Sequence, residues 1–159
     1  MLPDATPVTH TDPRPVLVVE DSDDDFDTVI HAATRANVHN RLLRAADADV
    51  ALSLLAHTPV SALAFMLLDY DLPGLDGLAL LFHVRHDFSP AELPVVVFTT
   101  SVNLRDRDAF CAAGASAFHV KSVQYVDCLL TLESIFAQWL NRTALPDDTA
   151  ISPGTGLST

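Results

Sequence analysis

The sequence predicts an α/β protein with a doubly wound, five-stranded parallel sheet. Short apolar runs alternate five times with longer segments of helical periodicity along the chain. The apolar runs are continuous, as is typical of strands buried on both faces of a parallel sheet. Because connections between parallel strands are right-handed, the helices are expected to cover both faces of the sheet.

The first half of the chain contains three strand–helix units. Val16–Val19 is an apolar run that predicts a buried strand. Ser22 is a suitable capping residue for a helix that reaches about Asn37, and Asp25 completes a weak capping box. The other predicted elements of this half are a strand at Leu42–Leu43, a helix at Ala48–His57, a strand at Leu63–Leu68 and a helix at Leu75–His86.

The second half of the chain contains two further units. Pro94 opens the β-branched run PVVVFTT, which predicts the fourth strand. A helix is predicted at Leu104–Ala113, with Gly114 just past its end, where glycine is common. The last elements are a strand at Ala117–Val120 and a helix at Tyr125–Leu140.

Length and composition predict one domain, at 14–141, between flexible tails at 1–13 and 142–159. We expect no DNA-binding output domain within the short C-terminal tail. The net charge of −12 disfavours binding to nucleic acid or to anionic membranes. Cys111 and Cys128 form no CxxC pair, and no signal peptide or membrane span is apparent. We therefore expect reduced thiols and a cytoplasmic location.

Reactive side chains follow four of the predicted strands, at their carboxyl ends, where doubly wound folds bind ligands. The residues are Glu20 and Asp21 after strand one, Asp69 after strand three, Thr99–Thr100 at the end of strand four, and Lys121 after strand five. Gathered carboxylates repel unless a cation neutralises them, and oxygen ligands without Cys or His suit Mg²⁺. A carboxylate beside Mg²⁺ and a lysine is equipped to attack phosphorus.

Four sequence blocks at these strand ends resemble the signature blocks of response-regulator receiver domains, the CheY-like superfamily. The blocks are VVEDSDDDF, LLDYDLPGLDG, VVVFTTS and AFHVKS. Their spacing agrees with the family, since Thr99 lies 30 residues and Lys121 lies 52 residues after Asp69. The resemblance covers about residues 14–140 and implies a flavodoxin-like (βα)5 fold with strand order 2-1-3-4-5.

The resemblance implies a magnesium site. Asp21 and Asp69 would bind Mg²⁺ directly, and Glu20 would assist through water. The backbone carbonyl of Asp71 would supply a further ligand.

The resemblance also assigns the phosphoryl chemistry. Asp69 would be the phosphoacceptor, and Lys121 would pair with the phosphoryl oxygens. Thr99 would donate to the phosphoryl group and act as a switch together with Phe118. The protein would catalyse only its own phosphorylation and dephosphorylation.

Two positions depart from the family pattern. Receivers usually have Lys-Pro with a cis bond after the fifth strand, whereas this chain has Lys121 followed by Ser122. A cis bond before a non-proline residue costs roughly 3–4 kcal/mol, so the alternatives are a strained loop and a trans bond. Thr100 stands where a smaller residue is common.

Two other functions compete with a phosphoaccepting receiver. DYDLPG also resembles the Asp-x-Asp motif of haloacid-dehalogenase-type phosphohydrolases, in which the Asp71 side chain would act as acid and base. The departures at Ser122 and Thr100 leave open a pseudo-receiver that binds partners without accepting phosphate.

The helix at Tyr125–Leu140 has an apolar arc of about 220°, against the roughly 100° that a surface helix needs. Either its own domain grips the helix on two sides, or a second copy covers it. The favoured prediction is a homodimer that buries Leu129, Leu132, Phe136, Trp139 and Leu140.

Several details narrow the resemblance to stand-alone response regulators of phytochrome-type histidine kinases. They are EDSDDDF, VVVFTTS, Lys-Ser, and a late Trp-Leu followed by ALP. The implied partners are a bacteriophytochrome kinase as phosphodonor and an unknown downstream protein.

Overall fold

The computed structural model describes residues 11–69, 76–100 and 103–141. These residues form five parallel strands in the order β2-β1-β3-β4-β5, which confirms the predicted fold class and strand order. The strands are β1 (Val16–Val19), β2 (Leu42–Ala45), β3 (Met66–Leu68), β4 (Val95–Thr99) and β5 (Ala117–Val120). The helices are α1 (Asp23–Arg35), α2 (Ala48–His57), α3 (Gly77–Asp87), α4 (Leu104–Ala112) and α5 (Tyr125–Leu140).

The core lies on both faces of the sheet because side chains alternate in direction along each strand. On one face, Val16, Val18 and Phe98 pack with α1 and α5. On the other face, Leu17 and Val19 pack with α2, α3 and α4. The helices therefore cover the sheet two on one side and three on the other.

The sheet register aligns the carboxyl ends of the central strands. Val19, the last residue of β1, is paired with Leu68, the last residue of β3. Leu68 is in turn paired with Val97 on β4, and Thr99 is paired with Val120 on β5. The residues that follow these strands consequently meet at one edge of the sheet.

Several predicted boundaries shift, among them the end of α1 and the starts of β3 and α3. Helix α1 ends at Arg35, and Asn37 adopts a φ of 58°, which is incompatible with continuing the helix. Strand β3 begins at Met66 and not at Leu63; a short 3-10 helix at Val60–Ala62 precedes it, and residues 63–65 connect the two. Helix α3 begins at Gly77 because the side chain of Asp76 caps it, accepting from the backbone of Ala79 at 2.8 Å.

The end of the predicted N-terminal tail belongs to the folded domain. The backbone N–H of Asp12 donates to the carbonyl of Leu140 at 2.9 Å. The hydroxyl of Thr11 donates to the same carbonyl at 3.2 Å. Residues 11–13 are thus tied to the end of α5, whereas 1–10 and 142–159 lie outside the described residues.

The five α5 residues that were predicted to lie in a dimer interface are buried within the single chain, so this choice of interface residues is wrong. Each is at most 5% exposed within the chain itself: Leu129, Leu132, Phe136, Trp139 and Leu140. They pack with α1 and the sheet in one core cluster. The alternative, a helix gripped by its own domain, accounts for the buried part of the apolar arc.

None of the helices in the described ranges is long and apolar enough to cross a membrane.

Candidate functional site

Three carboxylates meet where β1 and β3 end. One carboxylate oxygen from each of Glu20, Asp21 and Asp69 lies within 4.8 Å of the other two. The N–H of Asp69 donates to the carbonyl of Val19 at 3.1 Å, which extends the pairing of β1 with β3 past the last strand residues. Asp69 and Glu20 are buried, and Asp21 is exposed, so the cluster opens to solvent on one side. Asp71, whose carbonyl was predicted as a further ligand, lies outside the described residues.

Lys121 reaches this cluster from the end of β5. Its Nζ lies 2.9 Å from Glu20 Oε1 and 3.7 Å from Asp69 Oδ1. A third carboxylate, Asp25 on α1, accepts from the same ammonium at 3.0 Å. The side chain of Lys121 is only 9% exposed, and its Nζ lies 5.7 Å from the ring centroid of Phe98. The ammonium is therefore held in the site on several sides.

The charge of Lys121 is stabilised by its neighbours. Burial on its own lowers the pKa of a lysine, because it penalises the charged form. The charges of Asp69 and Glu20, together with the hydrogen bonds to Glu20 and Asp25, outweigh burial, and the pKa of Lys121 rises above its ordinary value. The side chain is thus a permanent cation beside Asp69 at any physiological pH.

Among the three carboxylates of the acidic cluster, Glu20 has a clearly raised pKa. Burial, and then the charge of Asp69, raise the pKa of Glu20 to about 7, although Lys121 opposes the shift. A carboxylic acid with this pKa is half protonated near neutral pH. A divalent cation in the cluster would favour the ionised form of Glu20, so cation binding and proton release are linked.

We therefore expect the affinity for Mg²⁺ to fall as the pH is lowered through about 7, since protons then compete for Glu20. At pH 6 the binding should be weaker, and binding near pH 7 should release a fraction of a proton per ion. Calorimetry in buffers of different ionisation enthalpy measures this release directly. Glu20→Gln, which cannot titrate, should flatten the dependence between pH 6 and 8. A wild-type profile as flat as that of Glu20→Gln would contradict the prediction.

The same pKa shift makes the stability of the metal-free fold depend on pH in the opposite direction to the affinity for Mg²⁺. Because the pKa of Glu20 is higher in the folded protein than the ordinary 4.5, the folded state binds more protons than the unfolded state between these values. The contribution of Glu20 to stability is accordingly largest at low pH and is lost as the pH rises from about 4.5 to about 7.

Arg44 on β2 binds the segment between β1 and α1 and was not identified from the sequence as part of the site. Its guanidinium donates to the backbone carbonyls of Glu20 and Asp21, each at 3.0 Å. It also pairs with Asp23 at 2.6 Å and lies 5.1 Å from the ring centroid of Phe26. An arginine within the short apolar run LLRA was the only sequence signal for this contact.

The predicted switch residues occupy β4 and β5. Thr99 is fully buried at the end of β4, and its carbonyl accepts from the N–H of Lys121 at 2.6 Å. Phe118 is half-buried, and its ring centroid lies 5.8 Å from that of Phe110 on α4. No cis peptide bond occurs in the described ranges, so the bond between Lys121 and Ser122 is trans.

The donor set fits a hard divalent cation. The clustered ligand atoms are carboxylate oxygens, partly open to water, as Mg²⁺ prefers. Burial, and then the charge of Asp69, raise the pKa of Glu20, so the ionised cluster lacks sufficient compensating charge and solvation. A bound Mg²⁺ would supply the missing positive charge and hold phosphoryl oxygens.

Fold and site together define a response-regulator receiver. The family model described as "Response regulator receiver domain" matches residues 16–133, and the chain belongs to this family. The membership confirms the resemblance deduced from the four sequence blocks and agrees with a Mg²⁺-dependent phosphoacceptor.

Among individual relatives, the chain is similar to response regulator Rcp1 of Synechocystis sp., with 29% identity over 140 residues, 84% of this chain and 94% of the relative. The crystal structure of the Mn²⁺-bound form of Rcp1 superposes with a TM-score of 0.75 at 28% identity, over 84% of this chain and 99% of that chain.

Two other solved structures are similar to the chain. The phosphorylated cyanobacterial phytochrome response regulator RcpA has a TM-score of 0.75 at 25% identity, covering 84% of this chain and 98% of that chain. The bacteriophytochrome response regulator AtBRR has a TM-score of 0.61 at 30% identity, covering 77% of this chain and 94% of that chain.

Proposed function

We propose that the protein accepts a phosphoryl group on Asp69 from a sensor histidine kinase. One observation carries the proposal: the carboxylate of Asp69 lies both within the acidic cluster and 3.7 Å from the ammonium of Lys121. A nucleophile, a place for a divalent cation and a fixed cation for the phosphoryl oxygens are thereby combined at one point.

The transfer follows from this arrangement. A carboxylate oxygen of Asp69 attacks the phosphorus of a phosphohistidine, a P–O bond forms, and the P–N bond breaks with its electron pair passing to the imidazole nitrogen. Lys121 binds the phosphoryl oxygens, and the hydroxyl of Thr99 donates to one of them. Phe118 on β5, which is paired with β4 and contacts Phe110 of α4, responds to the movement of Thr99. Attack of water on the acyl phosphate returns the protein to its starting state.

The proposed phosphodonor is a bacteriophytochrome kinase. The support is the similarity to RcpA and AtBRR, whose descriptions name phytochrome and bacteriophytochrome response regulators. The output proposed for the described domain is a change in its contacts with a downstream protein. The acidic composition disfavours a nucleic-acid or membrane partner and is consistent with a proposed cytoplasmic location.

Incubation with Mg²⁺ and acetyl phosphate tests the proposal. We expect the intact mass to increase by one phosphoryl group, because acetyl phosphate presents a reactive phosphoryl group to Asp69 without a kinase. A chelator should prevent the increase, since the carboxylate cluster then keeps its repulsion. In a parallel arm, a phosphorylated bacteriophytochrome kinase should transfer its label to the protein. An unchanged mass in both arms would favour the pseudo-receiver.

We further propose a homodimer through the exposed side of α5 in place of the buried residues. Tyr125, Val126 and Leu130 are each at least half exposed although they belong to the apolar arc. Val120 at the end of β5 and Val123 before α5 are also exposed apolar residues. A second copy related by two-fold symmetry would cover these residues with the same set.

A further inference from the structure

The ammonium of Lys121 donates hydrogen bonds to one carboxylate inside the acidic cluster, Glu20, and to one outside it, Asp25. It has three N–H donors, of which one is directed to Glu20 at 2.9 Å and one to Asp25 at 3.0 Å. The distance of 3.7 Å to Asp69 is too long for a hydrogen bond. Two of the three N–H donors of Lys121 are therefore directed to carboxylates other than Asp69.

Asp25 differs from the other partners of Lys121 because it stands outside the metal cluster. Its side chain is 47% exposed, whereas that of Glu20 is 5% exposed. The first turn of α1 fixes its position, since the N–H of Asp25 donates to the hydroxyl of Ser22 at 3.2 Å. Asp25 thus draws the ammonium toward α1 and away from the site of phosphorylation.

The surroundings allow this contact to open at modest cost. A cavity of about 190 Å³ borders both Asp25 and Lys121, and Thr28, Ser122 and Tyr125 also line it. The carboxylate of Asp25 would face this cavity and solvent once the ammonium left. A half-exposed carboxylate is readily hydrated, so the ion pair can break without leaving a buried charge.

We propose that Asp25 is a positioning residue that competes with the phosphoryl group of Asp69 for Lys121. The proposal rests on the proposed function of Asp69 as phosphoacceptor. In the unphosphorylated protein Asp25 holds one N–H of the ammonium, and a phosphoryl group on Asp69 competes with Asp25 for Lys121. Asp25 consequently lowers the affinity of the site for a phosphoryl group and limits the phosphorylated fraction.

The test compares two neighbouring substitutions that remove the same charge. Asp25→Asn removes the contact with Lys121, whereas Asp24→Asn removes an exposed carboxylate of the same helical turn. Beryllofluoride, a stable mimic of the phosphoryl group, is titrated into each protein with Mg²⁺. Relative to Asp24→Asn, we expect about two- to five-fold tighter binding in Asp25→Asn, the range for a half-exposed ion pair. Asp25→Glu should remain close to wild type.

A second measurement follows Lys121 in the metal-free protein. Lys121 is the only lysine of the sequence, so ¹⁵N-lysine labelling gives one side-chain ammonium signal. Proton exchange at this ammonium should be at least several-fold faster in Asp25→Asn than in wild type and unchanged in Asp24→Asn. A general effect of removing one negative charge would change the exchange rate equally in Asp24→Asn and Asp25→Asn, so the difference between the two variants reports the contact with Lys121.

The outcomes separate the two proposals. Equal beryllofluoride affinity in the two Asn variants, or weaker binding in Asp25→Asn, would overturn the role of Asp25. Unchanged ammonium exchange in Asp25→Asn would do the same without any reference to phosphorylation. Failure of the wild-type protein to bind beryllofluoride would instead overturn the function of Asp69, and the role of Asp25 with it.

Discussion

Replacement of Asp69 by Asn is expected to abolish phosphorylation completely, both by acetyl phosphate and by a kinase. The amide of Asn cannot form the acyl phosphate, because its nitrogen and oxygen are poor nucleophiles toward phosphorus. The other carboxylates cannot substitute, since Glu20 is bound to Lys121 at 2.9 Å and Asp21 is exposed. Intact mass after incubation with Mg²⁺ and acetyl phosphate measures the effect.

Loss of phosphorylation in Asp69→Asn would not be explained by unfolding. The charge of Asp69 is one of the causes of the raised pKa of Glu20, so its removal relieves repulsion in the cluster. The variant should therefore unfold at the same temperature as wild type or at a higher one in the absence of metal. A thermal melt measured beside the mass experiment provides this control.

Asp71→Asn separates the receiver from a haloacid-dehalogenase-type phosphohydrolase. In a receiver only the backbone carbonyl of Asp71 is used, and the variant should still gain the phosphoryl group. In such a phosphohydrolase the side chain would be the acid and base, and turnover would be lost. Retained phosphorylation in Asp69→Asn, or its loss in Asp71→Asn, would contradict the role of Asp69 as the phosphoacceptor of a receiver.

The acidic cluster could be predicted because chain order alone places its members. Glu20 and Asp69 directly follow short apolar strands, and the carboxyl ends of neighbouring parallel strands share one edge. Lys121 was found by the same argument at the end of β5. No side-chain conformation was needed to bring these three residues together.

The contacts of Asp25 and Arg44 were not predictable in this way. Asp25 lies in a run of acids at a helix start, where each carboxylate has an adequate local explanation. Only the placement of α1 against α5 brings it to Lys121. Arg44 acts on backbone carbonyls, which carry no sequence signal, so nothing in the composition of the loop pointed to it.

The apolar arc of α5 was recognised from the sequence, and the favoured explanation was a second copy, whereas the structure buries part of the arc within the chain itself. Part of the arc packs on α1 and the sheet, and the chain at Thr11 and Asp12 ties down the last turn. Another part, including Val126 and Leu130, remains exposed. Periodicity gives the width of an apolar face, whereas the identity of what covers it depends on tertiary packing.

Because α5 has a buried and an exposed apolar side, two substitutions on this helix should have very different effects on the free energy of unfolding. Phe136→Ala should destabilise the fold by about 3–5 kcal/mol, the usual cost of deleting a buried phenyl ring. Phe136 is fully buried, and its ring lies 6.3 Å from that of Phe65 in an edge-on arrangement. Since domains have a total stability of about 5–15 kcal/mol, this loss would remove a large part of the free energy of unfolding. Denaturant titration at low protein concentration measures the change.

Leu130→Ala is the matched control, because Leu130 is 51% exposed on the same helix. Its effect on monomer stability should be within about 0.5 kcal/mol, as is usual for surface positions. If α5 pairs with a second copy through Tyr125, Val126 and Leu130, the same substitution should weaken the dimer in sedimentation experiments over a range of concentrations. A stable Phe136→Ala monomer with a weakened dimer would instead return Phe136 to the interface and contradict the assignment of α5 to the core. Leu130→Ala with normal stability and weakened association would place the dimer on the exposed side of α5, because only that side changes its solvent contact when two copies meet.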